Sequence, residues 1–325
     1  MYYKISNNLT SFIHRSKGGR YQHVAIASGL HLFVMLICSL LLLPDVVFAK
    51  TTMIHGVAVN TSDVRQLNFA LFDAAEYGRM DDVRQLLGFG ASVKARNRFG
   101  NNALLLAARK GHLNIVKLLL QKGSDLHYQN LAGSTALFQA VKARRRKVVK
   151  HLLAIKARVN TANLKLLTPI IAAAYNGDRK TVKLLLKHGA DPTASDHTGK
   201  TALVYASGKG FTKIIGLLLE TGIDVNIRYN NKLTILMWAA GHSNDVPSKT
   251  ALKTVKIILS NGADPDLLDN RGRTALMIAA EMGHLRIVEH FISIGAKSDL
   301  LDNQGYTALD LAANAGHTEV SKLLQ

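Results

Sequence analysis

Three stretches of this sequence carry residues at spacings that chemistry uses. Ala194–Thr201 reads ASDHTGKT and closes on Gly-Lys-Thr, like the end of a loop that cradles phosphate oxygens. Such a loop opens on glycine, follows a buried strand and feeds a long helix. Here Ala194 stands first and His188-Gly189-Ala190-Asp191-Pro192 leads in, so the stretch reads as a turn. His112, His284 and His317 each follow a glycine and form a column. A metal there would need carboxylate or thiolate ligands that the surrounding residues do not supply, so no metal and no cofactor are expected. The third stretch is the run Lys142, Arg144, Arg145, Arg146, Lys147 and Lys150, with no acid near it and a strongly positive field. No nucleophile, base and orienting group recur at a catalytic spacing, which points away from an enzyme.

The positive charge is local. The 325 residues hold 41 Lys and Arg against 22 Asp and Glu, a net charge of +19, yet Asn97–Ser195 alone holds 18 bases and three acids. Such a surface either recruits an acidic partner or merely keeps an aliphatic chain soluble, and the local deficit of acids favours recruitment. Hydrophobic residues make up 48% of the chain and Gly and Pro number only 25 and 5, which excludes a disordered or collagen-like polymer and implies a packed core. The single cysteine, Cys38, excludes an internal disulfide and a cysteine zinc knuckle.

Residues 1–49 read as an export segment. Lys4, Arg15, Lys17 and Arg20 precede an apolar run from Leu30 to Leu43, and Val47, Phe48 and Ala49 fit a cut before Lys50. The alternative is a retained anchor, because 24–43 is long enough to cross a bilayer. Either way the remainder is expected outside the cytoplasm, periplasmic or secreted, with membrane contact only through 24–43 if that segment is kept. Export also argues against reading Arg144–Lys147 as a nuclear-import signal. Residues 50–66 are expected to be a linker carrying the sequon Asn60-Thr61-Ser62.

The elements that must position these side chains come from a repeat. Ala74, Ala107, Ala140, Ala173, Ala206 and Ala239 lie 33 apart, Ala279 follows after 40, and Ala312 after 33. Gly90, Gly123, Gly189, Gly222, Gly262 and Gly295 keep the same register, as do Thr135, Thr168, Thr201, Thr234, Thr274 and Thr307. A period of this length means stacked supersecondary units. In Asn97–Asn130, Gly100 predicts a turn and Asn102 a cap for a helix carrying Ala107 and Ala108. A second helix after Gly111 carries Ile115, Val116, Leu118, Leu119 and Leu120, and Gly123 ends it in the left-handed region. Such a unit cannot hold a core alone, so neighbours must cover it.

These residues resemble the ankyrin repeats: Gly272-Arg273-Thr274-Ala275-Leu276, Ala279-Ala280, Gly283-His284, Ile287-Val288 and Gly295-Ala296 follow that family's pattern, as does Gly189-Ala190-Asp191. The resemblance implies an all-α solenoid of about eight helix-turn-helix repeats over 67–325, a monomeric array with short hairpin connections. It also implies protein binding on a concave face of hairpin tips and first helices. Mapped residue by residue, that face holds Arg98, Phe99, Arg109, Lys110, Lys142, Lys165, Tyr175, Lys200 and Lys209, with Asn270, Arg271, Arg273 and Tyr306 further along and one acid, Glu281. Arg144 and Arg145 join them as candidates for docking an acidic protein partner, with an anionic polymer as the alternative. The sequence departs from the pattern in three places. The family's first-helix His is replaced by Leu105, Phe138, Ile171, Val204, Met237, Met277 and Asp310, which predicts that its bond to the capping Thr is missing. Arg144 and Lys156 stand where other repeats have glycine. Seven extra residues around Asn244 to Thr250 predict a lengthened second helix capped by Ser248.

Overall fold

The computed structural model describes residues 51–242 and 246–325. Sixteen α-helices among them form eight antiparallel pairs. They are α1 (Val64–Tyr77) and α2 (Met80–Gly88), α3 (Ala103–Lys110) and α4 (Leu113–Gln121), α5 (Ala136–Lys142) and α6 (Arg146–Ala154), and α7 (Pro169–Tyr175) and α8 (Arg179–Lys187). The second half holds α9 (Ala202–Gly208) and α10 (Thr212–Leu219), α11 (Ile235–Ala240) and α12 (Ser248–Ser260), α13 (Ala275–Glu281) and α14 (Leu285–Ser293), and α15 (Ala308–Asn314) and α16 (Thr318–Leu324).

Local chemistry sets each start and stop. Asn102 Oδ1 accepts from the Leu105 amide at 3.0 Å, and Thr135, Thr201, Thr234, Thr274 and Thr307 cap their helices likewise. Thr168 is the exception: Pro169 opens α7 and the Thr168 hydroxyl is buried with no partner. The first-helix alanines are fully buried and let consecutive first helices pack closely, whereas second helices touch less, so the stack is tighter on its first-helix side. The second helices turn Val and Leu inward, such as Val116 and Leu119 or Val182 and Leu185, and leave their charges outside.

Between pairs, a polar column shapes the hairpin tips. The side-chain oxygens of Asn97, Asn130, Asn163, Asp196, Asp269 and Asp302 each accept from the amides two and four residues on. Neighbouring tips then bond to one another: the Leu131 amide donates to the Phe99 carbonyl at 3.3 Å, Leu164 to Ala132 at 3.0 Å and His197 to Lys165 at 3.1 Å. The column breaks at Tyr229, where a short 3-10 turn, Asn230–Lys232, takes its place.

Several expectations are revised. Where a linker over 50–66 was expected, β1 (Thr51–Ile54) and β2 (Val57–Asn60) pair antiparallel and bury Ile54 and Val59, and α1 already begins at Val64, capped by Asp63. Four residues per strand are too few for a periodic signal that would separate the hairpin from a linker. The seven-residue insertion does lengthen α12, but Ser248 does not cap it. Pro247 occupies the capping position, its carbonyl accepting from Thr250 and Ala251, which leaves Ser248 inside the first turn. In the last repeat Asp310 restores a reciprocal bond to Thr307, accepting from its hydroxyl at 2.6 Å and its amide at 2.9 Å. Residues 1–49, with the apolar stretch 24–43 and Cys38, lie outside the described residues, as does Asn244. Among the described residues no helix is long and apolar enough to cross a membrane.

Candidate partner-binding groove

The mapped residues separate into three groups. Lys142, Lys165 and Tyr175 line a cleft of about 640 Å3 on the first-helix side, whose remaining wall is mostly apolar: Phe138, Leu164, Leu167, Ile171 and Ala172, with Gln139 and Tyr205 at its ends. The cleft exists because Gln139, Ala172 and Tyr205 are 33 apart in sequence, and the small Ala172 leaves a hole between two larger neighbours. Tyr175 is 51% exposed and meets Tyr205 edge to face, with ring centroids 5.4 Å apart. Lys209 Nζ stands 4.2 Å from the Tyr175 ring, and Lys200 Nζ 4.8 Å from that of Trp238.

This ladder is rigid at its base. The Tyr205 hydroxyl donates to Asp196 Oδ2 at 2.6 Å. Burial and the Asp196 carboxylate push the Tyr205 phenol up to about 12, so it remains a donor. Burial alone would raise Asp196, but hydrogen bonds from the Tyr205 and Thr198 hydroxyls and the Lys200 and Thr198 amides outweigh it and hold the carboxyl below the usual range. The Trp238 indole N–H is buried beside this ladder with no acceptor among the described residues.

Repeated hairpin pairs, tip bonding and the capping column decide the family. The ankyrin repeat family matches in three copies, over residues 71–163, 170–247 and 236–325. The chain belongs to the ankyrin repeat family. No curated protein matches it. Ankyrin repeats generally mediate protein–protein binding and are typically non-enzymatic scaffolds.

The second group of mapped residues in this ankyrin array is neutralised or anchored. Arg109 donates to Glu76 Oε1 at 3.0 Å, and Lys110 Nζ lies 3.2 Å from the same oxygen. Glu76 is 33 residues before Arg109, hence its neighbour in the stack, and lies outside the acid-poor stretch Asn97–Ser195. Arg144 donates to the Asn176 carbonyl, and Arg145 Nε to that of Arg109 at 3.1 Å, its methylenes lying against Gly111. These two side chains bridge repeats. Arg273, mapped to the concave face, is internal instead: Nε donates to Asp302 at 3.0 Å and Nη1 to Glu281 at 2.6 Å. Arg271 is paired with Asp269.

The third group sits on the tips. Arg98 stacks on its neighbour Phe99 at 4.8 Å, and both are exposed. Leu131 and Leu164, 71% and 75% exposed, occupy the next two tips. Phe138, Gln139, Tyr205 and Trp238 join the site without having been among the mapped residues. The 33-residue spacing from Tyr205 to Trp238 was the available signal, one helical turn before the mapped column. The phosphate-loop lookalike Ala194–Thr201 is an ordinary tip, with Ser195 bridging Thr201 and Thr201 capping α9. The histidine column serves packing: His112 and His317 bond to the Glu76 and Glu281 carbonyls, and lie against Gly78 and Gly283 of the preceding repeat.

Proposed function

We propose that this array is a non-enzymatic scaffold that docks an acidic, extended segment of a protein partner in the groove of repeats three to six. A bulky apolar side chain of that segment fills the hole over Ala172, and flanking carboxylates meet Lys142, Lys165, Lys200 and Lys209. The observation that carries this reading is the coincidence of an apolar cleft lined by Lys142 and Lys165 with Lys200 and Lys209 set on the aromatic rings beside it. Apolar anchor pockets with charged rims are where binding energy concentrates.

Panning a random peptide library on the full chain tests it. Selected peptides are expected to carry Asp or Glu around a Phe, Leu or Trp. Ala172→Trp fills the hole and is expected to cost at least about tenfold in affinity, roughly the 1.4 kcal/mol of a partly lost anchor. Lys142→Ser/Lys165→Ser/Lys209→Ser weakens binding and flattens its salt dependence. Peptides without acidic enrichment, or undiminished binding to Ala172→Trp, would refute the reading. Export remains part of the proposal, on the strength of the basic start and apolar run within 1–49. Purified mature protein beginning at Lys50 marks cleavage, and a membrane-bound chain beginning at Met1 marks an anchor.

A further inference from the structure

The second helices carry charge in a pattern that the groove does not use. Two positions, three residues apart on one helix face, recur through the array. The first holds Asp81, Asn114, Lys147, Lys180, Lys213, Lys253, Arg286 and Glu319, and the second Arg84, Lys117, Lys150, Lys183, Gly216, Lys256, Glu289 and Lys322. At both ends the two positions take opposite signs: Arg84 bonds Asp81 at 3.1 Å, Arg286 accompanies Glu289, and Glu319 accompanies Lys322. In repeats three, four and six both are lysine.

Residues at this spacing are surface neighbours, about 5–6 Å apart at Cβ, where opposite charges stabilise a helix and like charges destabilise it by a similar amount. A face serving solubility alone would keep the paired arrangement that this chain uses at its ends. Instead Lys117, Lys147, Lys150, Lys180, Lys183, Lys213, Lys253 and Lys256 are all exposed, and none joins an ion pair among the described residues. Helices packed about 8–10 Å apart turn these into two parallel lysine rows, one through repeats three to six and the other from repeat two to repeat six with a gap at Gly216. Their field is felt by neighbours. Burial, and secondarily Lys117, lowers the His151 imidazole, and burial with Lys256 does the same to His290.

We propose that this outer face binds a linear acidic polysaccharide laid along the array axis, at a site separate from the inner groove. A chain of carboxylates can follow the rows from one repeat to the next. The residues between the rows, such as Val148, Val149, Thr181 and Val182, are buried and none is aromatic, so the face offers no platform for stacking bases. The second helices contact one another less than the first helices do, a spacing that bends a stack away from this face and so away from a planar membrane.

The test titrates the full chain with oligogalacturonate, with oligothymidylate and anionic phosphatidylglycerol vesicles as competing probes. Lys147→Glu/Lys180→Glu/Lys253→Glu rebuilds the end-repeat pairing. It is expected to lose affinity for oligogalacturonate on the order of 100-fold and to shrink the log–log salt slope by about three. The groove variant Lys142→Ser/Lys165→Ser/Lys209→Ser is expected to change less than about twofold, since it removes no row contact. In the unmutated chain, His151 and His290 should titrate at higher pH when the polymer covers Lys117 and Lys256, a readout that stands even if the triple variant fails to fold. Undiminished binding by the triple variant, equal loss in the groove variant, unmoved histidines, or tighter binding of oligothymidylate or vesicles would each overturn the proposal.

Discussion

At the residue scale, four side chains stand at glycine columns in backbone conformations that suit glycine. Arg144, Lys156, Leu166 and Lys232 have φ of 58°, 63°, 56° and 58°, each where other repeats place glycine in the same region. Left-handed backbone costs an L-residue about 1–2 kcal/mol, and glycine recovers part of this while adding unfolded-state entropy. Lys156 makes no side-chain bond that would offset the cost, so Lys156→Gly should stabilise the protein by about 0.5–1 kcal/mol, read as a raised urea midpoint. Arg144→Gly should gain nothing, because it also removes the bond from the guanidinium to the Asn176 carbonyl, and charged hydrogen bonds contribute about 1.5–3 kcal/mol. Equal stabilisation by both substitutions would show that the bridge to Asn176 has no energetic weight. Arg273 lies at the other extreme, with side-chain exposure of 10% for the arginine and 1% for its partner Asp302. Arg273→Met should cost about 3–5 kcal/mol, because it strands a buried carboxylate.

At the element scale, the weak joint is between α11 and α14, beside the insertion. His242 and His284 stack there with ring centroids 3.8 Å apart, while His242 Nδ1 and His284 Nε2 are buried without partners among the described residues. Burial is the main cause lowering both imidazoles. His284 adds to the lowering of His242, and His317 to that of His284, although backbone carbonyls near Ala240 pull the other way. Both rings are therefore neutral in the folded chain, whereas the unfolded chain takes up protons at about 6.5. The stability they contribute is fully present above that pH and is lost as pH falls from 6.5 through the lowered native values. Urea midpoints should drop between pH 7.5 and 5.5, and His242→Phe, which keeps the stack, should flatten that slope. His151 and His290 act with the same sign, so part of the slope should remain. The lowered carboxyls Asp178, Asp196 and Asp302 lose their contribution only in stronger acid. An unchanged slope in His242→Phe would place the titration elsewhere.

At the scale of the whole molecule, the array was legible because a stack repeats its contacts: Ala, Gly and Thr columns 33 apart reported the fold before any coordinate did. The groove was legible only in part. A side chain's neighbours in a stack lie one period away, so the fate of Arg109 was decided by Glu76 and the shape of the cleft by Gln139, Ala172 and Tyr205. Reading charges within a window of consecutive residues hides both. The same geometry makes charge a property of the entire array. Excess cations on repeats two to four sit on adjoining units and repel along the axis. Raising salt shortens the screening length from about 30 Å at 0.01 M to about 8 Å at 0.15 M, so the thermal midpoint should rise with added sodium chloride. Lys147→Glu/Lys180→Glu/Lys253→Glu should melt higher than the unmutated chain at low salt and respond less to added salt. Should the midpoint instead fall as salt is added, the pairs that salt weakens, such as Asp81 with Arg84 and Glu76 with Arg109, would outweigh the repulsion. In that event the unpaired lysine rows would impose no strain that a polyanion could relieve.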